Sequence, residues 1–154
     1  MGFLLARRTP WIGFGLIILL WLGLTHFMIP HPPFSYQVAK AQESLEAGAW
    51  SAAESRLLEL KKNHPQEFLP NFLLGALYLE TKDYENSARH LDAALRLKPN
   101  HPEALMLQIH RALQQAQWSR AETYWQELKS AHPQDPRLSD LATLIQTARE
   151  PLSH

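Results

Sequence analysis

Residues 59–66 read ELKKNHPQ and residues 127–134 read ELKSAHPQ, identical at six of eight positions. Between them, residues 95–102 read LRLKPNHP, and the three stretches put Pro65, Pro99 and Pro133 thirty-four residues apart. Other positions keep step, with Ala53, Ser87 and Ala121 as one series and Trp50, Tyr84 and Trp118 as another. One fixed period of this length marks a chain built from repeated units, each burying its apolar face against the next. Every unit has an apolar stretch at helical spacing, a short polar break, a second such stretch and a proline that stops it.

The middle unit, NFLLGALYLETKDYENSARHLDAALRLKPN at residues 71–100, carries Leu74-Gly75, Tyr78, Asp83-Tyr84, Leu91, Ala94-Leu95 and Pro99. The first keeps Ala41, Gly48, Trp50, Ala53, Leu57 and Pro65; the third keeps Trp118, Ala121 and Pro133. On these residues the stretch from about 34 to 133 resembles the tetratricopeptide repeat (TPR) family, whose unit is a pair of antiparallel helices. The resemblance implies an all-α fold, a three-repeat TPR α-solenoid with repeats at about 35–67, 68–101 and 102–135. Asp135-Pro136 opens one further helix, 136–150, ended by Pro151, which reads as the C-terminal capping helix. Ser51-Ala-Ala-Glu54 and Ser119-Arg-Ala-Glu122 have the form of capping boxes and are expected to start the second helices of the first and third repeats. Gly75 lets two helices approach closely, Ala41 nearly so, and Ile109 in the third repeat departs from that pattern.

Ahead of the repeats, WIGFGLIILLWLGLTHFMI at residues 11–29 contains no charged residue. Nineteen residues at about 1.5 Å each reach about 28 Å, close to the roughly 30 Å of a bilayer core. We expect a transmembrane helix at 11–29, a signal anchor. A cleaved signal peptide has a shorter apolar region with a small-x-small site directly after it; the nearest such triplet here, Ala39-Lys40-Ala41, falls inside a predicted helix. Arg7 and Arg8 before the span, against Lys40 alone after it, orient the chain with residues 1–10 cytoplasmic and the repeats periplasmic or otherwise extracytoplasmic. Residues 30–34, a Pro-rich linker, would hold the repeats near the inner (cell) membrane, crossed in a single pass.

Fifteen basic and fifteen acidic residues balance, so no basic excess points to nucleic acid. Cysteine is absent, which removes disulfides, thiolate metal sites and cysteine nucleophiles. His64 and His132 invite a metal reading, but helices pack about 8–10 Å apart, so points two repeats apart are about 20 Å apart, too far for one ion. They are expected near helix C-termini beside unpaired carbonyls; His90, His101 and His110 are expected at the surface or in a groove. No catalytic constellation, metal site or cofactor motif is recognisable.

What the resemblance offers is a concave face lined by the first helix of each pair. Its groove positions fall on Val38, Gln42 and Leu45 in repeat one, Leu69, Phe72, Ala76 and Leu79 in repeat two, and Met106, His110 and Leu113 in repeat three. This groove is largely apolar and lacks the lysine and asparagine clamp of family members that bind acidic C-terminal peptides. It suits an apolar or amphipathic segment of another protein, membrane-bound or periplasmic. The alternative, that these side chains only pack the first helices together, stays open here. Trp125 replaces a smaller family residue and reads as core filler, with an exposed partner anchor as its alternative. Proteins that look like this serve as assembly factors for secreted or membrane complexes, so the expected function is a membrane-anchored adaptor or assembly factor. The alternatives are a permanent subunit of a membrane complex, packed through Gly13, Gly15 and Gly23 of the anchor, and, more remotely, an enzyme with an unrecognised site.

Overall fold

The computed structural model describes residues 32–150. The expected transmembrane helix at 11–29 lies outside the described residues; among those described, no helix is long and apolar enough to cross a membrane. They form seven helices and no strand: α1 (Phe34–Glu46), α2 (Trp50–Asn63), α3 (Phe68–Glu80), α4 (Tyr84–Leu97), α5 (Pro102–Gln114), α6 (Trp118–Ala131) and α7 (Leu138–Arg149). The pairs α1–α2, α3–α4 and α5–α6 start at 34, 68 and 102, one period apart. Each pair also packs on the next through α2–α3, α4–α5 and α6–α7, and the first helices touch along α1–α3 and α3–α5. Phe34, assigned to the linker by sequence, opens α1 instead, where its ring meets His64 edge-on at 4.9 Å.

The period is written in backbone angles as well as in residues. His64, Lys98 and His132, each just before a proline of the series, all take φ −133°, and their N–H groups donate to Leu60, Ala94 and Leu128 four residues back. A proline disfavours the α conformation in its predecessor, and at these three positions the helix stops. Inside each pair the turn passes through a left-handed residue: Gly48 (φ 67°), Lys82 (φ 61°) and Ala116 (φ 53°). Glycine does this without a side-chain clash, whereas lysine and alanine are held there by the helices on either side.

The capping boxes do not form. α2 and α6 begin one residue before the serines, at Trp50 and Trp118, with Ala49 and Gln117 in the capping position and no side-chain hydrogen bond there. Ser51 and Ser119 therefore lie inside the first turn, because the short turns from Gly48 and Ala116 leave no room for a later start. The cap that does form is Asp83, whose carboxylate accepts the Asn86 backbone N–H at 3.2 Å and the Asn86 amide at 2.7 Å. Asp135 does not cap the last helix: its carboxylate accepts the Arg137 N–H at 2.9 Å within a turn formed by Pro136 and Arg137, and α7 starts only at Leu138, two residues after the expected start.

Close approach between α3 and α4 rests on Gly75: a β-carbon there would lie 2.6 Å from Leu91 Cγ and Cδ2. The Ser87 hydroxyl donates to the Gly75 carbonyl oxygen at 2.8 Å in the same buried contact. One period on, Ile109 and Trp125 occupy the places of Gly75 and Leu91. The larger pair still packs: Ile109 is buried, while the half-buried Trp125 indole turns to α7 and donates its Nε1–H to the Leu138 carbonyl at 3.0 Å. Trp125 is thus neither wholly core nor a free anchor. It fastens the capping helix to the stack, with Lys129 Nζ 4.9 Å from its ring centre.

The core runs along the stack in three joined clusters, around Leu57, Leu60, Leu74 and Leu77, then Phe68, Ala94 and Ala104, then Leu105, Ile109, Leu128 and Ile145. Burying one such leucine stabilises the fold by about 2 kcal/mol. α3 has apolar residues on every side because it sits in the middle of the stack, against α1, α2, α4 and α5. Polar groups enter the core where pairs meet. Gln108, at the position of Leu74 in the preceding repeat, donates to Asp92 at 2.5 Å and accepts from Arg111 Nε at 2.8 Å; Arg111, 2% exposed, also donates to Gln115 at 2.7 Å. His90, expected at the surface or in a groove, is instead buried between α3 and α4.

Candidate functional site

Alternate helices of a paired stack share one face, so side chains far apart in sequence meet there. On that face an apolar groove of about 460 Å³ is lined by Phe72 and Ala76 of α3, Met106, Leu107, Ile109, His110 and Leu113 of α5, and Leu141 and Leu144 of α7, with Glu103 at its edge. Five of the ten residues expected from sequence, Phe72, Ala76, Met106, His110 and Leu113, are brought together here.

The other five lie elsewhere. Val38 (7% exposed) and Leu79 (6%) are core, and Leu45 packs against the first core cluster. The reason in α1 is its stripe: Val38, Ala41 and Leu45 fall at helical spacing on the side buried by α2 and α3, which leaves Gln42 exposed beside them. Leu69 packs between the first and third clusters and does not line the groove. The groove is accordingly a feature of the second and third pairs and of α7.

Sequence reasoning missed α7. Read only as a cap, it was given no groove residue, yet Leu144 is 51% exposed and stands with Leu141 over the groove. The signal was present in LSDLATLIQ, where Leu141, Leu144 and Ile145 give this short helix two apolar faces. Ile145 is buried on one while Leu144 is open on the other.

Charges at the groove are engaged with one another. Glu103 lies 3.9 Å from Arg137 Nη2 and 3.3 Å from His101 Nδ1, which is buried without a hydrogen bond. Arg137 is held chiefly by Asp135, through Nε at 2.8 Å and Nη2 at 2.5 Å. The Arg137 side chain first, then its backbone N–H, hold the Asp135 carboxyl down to about 2. His110 is exposed, with Nε2 3.3 Å from the Gln114 amide nitrogen. At one end Phe72 stacks on Phe68 at 5.3 Å, and His101 packs on both rings at 4.4 and 5.8 Å. What this surface can do is desolvate uncharged side chains, through the apolar area that Phe72, Met106, Leu107, Leu113, Leu141 and Leu144 offer.

The histidines of the twin phrases have structural partners: His64 meets Phe34, and His132 Nε2 donates to the Asn100 carbonyl at 2.7 Å, tying the loop after α6 to the loop after α4. Among the described residues, no three His, Cys, Asp or Glu side chains gather as a metal site.

Residues 78–145 match the model of a tetratricopeptide repeat family. No functionally curated protein matches the chain in sequence. Among solved structures, a double mutant of the protein MamA (MamA RS-1 ArsTM) is similar with a TM-score of 0.67 and 23% identity over 75% of this chain and 65% of that one. A tetratricopeptide repeat protein from Parabacteroides merdae gives 0.72 and 16%, over 83% of this chain and 51% of that one. The type III secretion chaperone SycD of Yersinia enterocolitica, in complex with a peptide of the translocator YopD, gives 0.65 and 14%, over 75% and 88%. This chain thus spans about two thirds of the first of these proteins and half of the second. At these identities the likeness shows the fold, a tetratricopeptide-type solenoid.

Proposed function

We propose that this tetratricopeptide-type stack is a holder of polypeptide, anchored in the inner membrane by residues 11–29, with its repeats outside the cytoplasm. The groove over α3, α5 and α7 takes an uncharged apolar segment of a partner protein. The observation that carries this reading is the lining itself: large apolar side chains open to solvent on three successive first helices, beside charges already satisfied by one another. An exposed apolar patch rimmed by polar residues is the usual mark of a binding surface. That SycD, of the same fold, has been captured with a peptide supports the choice of a polypeptide occupant.

Anchoring rests on sequence: an uncharged apolar run long enough to span, with Arg7 and Arg8 before it. The partner is then itself membrane-bound or periplasmic, and an assembly role follows from holding it. The test of the groove is to compare partner recovery by the full chain with that by Phe72→Glu and Met106→Glu in native membranes, with helicity checked for each. Loss of recovery in a folded variant supports the reading, and unchanged recovery with both variants folded ends it. For the anchor, a reporter active only in the cytoplasm, fused after His154, should stay silent; activity there would reverse the orientation.

A further inference from the structure

The groove over α3, α5 and α7 has a direction. Met106, His110 and Leu113 stand four and three residues apart on α5, Phe72 and Ala76 four apart on α3, and Leu141 and Leu144 three apart on α7. Such spacings keep side chains on one face of a helix, so the three stripes run along the helix axes. On α5 the lining extends from Glu103 to Leu113, a floor about 15 Å long at about 1.5 Å per residue. Neighbouring helices pack about 8–10 Å apart, so α3 and α7 flank this floor as walls with room for a helix about 10 Å across laid lengthwise between them.

The form of the occupant follows from the hydrogen bonds this lining can offer. Its polar side chains are Glu103, at the edge, and His110, whose Nε2 faces Gln114. The other lining side chains are apolar, and their backbone N–H and C=O groups are bonded within their own helices. An extended segment laid here would press a backbone N–H and C=O from every residue against a surface that cannot pair them. Recognition of extended chains relies on those main-chain bonds, whereas a helix satisfies them within itself.

Charge marks one end of the floor. Asp135 and Glu103 share the single guanidinium of Arg137, so their cluster carries one net negative charge when His101 is neutral. The Glu103 side chain, 48% exposed, is open to a cation there. We infer that the occupant is an amphipathic α-helix lying along α5, its uncharged apolar stripe in the groove and a lysine or arginine beyond that stripe against Glu103. This rests on the groove being the binding surface and gives the partner segment its form.

Selection from random sixteen-residue peptides tests this, with the full chain in detergent micelles as bait and Leu144→Glu, a change at an exposed site, as counter-bait. Peptides held by the native chain and released by Leu144→Glu should carry apolar residues three and four apart and gain helical circular dichroism on binding. A proline placed at the centre of such a peptide should weaken it about a hundredfold. Glu103→Gln should recover the same stripe without the flanking lysine or arginine. Apolar residues in strict alternation, or indifference to the central proline, would overturn the helix and leave the groove standing. A flanking basic residue still selected by Glu103→Gln would overturn the contact with Glu103. If no peptide separates the native chain from Leu144→Glu, the groove itself falls, and the helix with it.

Discussion

Leu91 lies so close against Gly75 that even a methyl group has no place between α3 and α4. A β-carbon at Gly75 would come within 2.6 Å of the Leu91 side chain and 3.3 Å of its backbone nitrogen. The side chain could swing aside, but the backbone nitrogen moves only with α4. Gly75→Ala should therefore destabilise the domain by about 1–3 kcal/mol, the usual cost of overpacking, and lower Tm by several degrees. Thermal unfolding followed by circular dichroism measures this, and an unchanged Tm would show that α4 relaxes freely.

The left-handed turns give a prediction of opposite sign. A non-glycine residue in that conformation costs about 1–2 kcal/mol, while glycine's extra freedom in the unfolded chain costs about 0.5–1 kcal/mol. The first effect is larger, so Lys82→Gly and Ala116→Gly should each stabilise the stack by up to about 1 kcal/mol. Gly48→Ala, with open space around its β-carbon but φ at 67°, should destabilise it through backbone strain alone. Urea midpoints at constant slope would decide all three.

Helix starts separate a formed cap from an apparent one. Asp83→Ala removes an acceptor from the first turn of α4 and should cost about 1 kcal/mol. Ser51→Ala and Ser119→Ala should each stay within about 0.5 kcal/mol, since neither serine caps its helix. Equal losses at all three sites would restore the capping boxes.

Trp125 links stability to function. Trp125→Phe keeps a ring in the core but removes the donor to the Leu138 carbonyl, a loss of about 1 kcal/mol borne mainly by α7. Because Leu141 and Leu144 reach the groove from that helix, partner affinity should fall although no groove residue is changed. Faster amide exchange in α7 with slow exchange kept in α3–α6 would accompany it, and a variant with normal exchange and normal binding would detach α7 from the site.

The fold was legible because the prolines act locally: each disfavours a helical conformation in its predecessor, and three at one spacing mark three helix ends. The starts were less so. Ser51 and Glu54 have the right types at the right spacing for a cap, but the preceding turn decides the first helical residue, and only Gly48 among the three left-handed positions inside the pairs advertises itself. For the groove, the family resemblance supplied the positions, and five of them, Phe72, Ala76, Met106, His110 and Leu113, line it. The resemblance could not tell that Val38 and Leu79 are covered by neighbouring helices, nor that α7 turns Leu144 out on the groove side. Burial of His90 depends on Asn71 and Tyr78, nineteen and twelve residues away, so no local pattern announces it.

The central claim, that the groove over α3, α5 and α7 holds a partner polypeptide, is tested most directly by a photocrosslinking amino acid placed in the membrane-bound full chain. It stands in place of Leu107 or Leu144 in the groove, or of Leu58, exposed on α2 and outside it. The account predicts one adduct of the same mass from positions 107 and 144, none of it from 58, and its loss when Met106→Glu is added to the same chain. The same adduct from all three positions, or one indifferent to Met106→Glu, would contradict it.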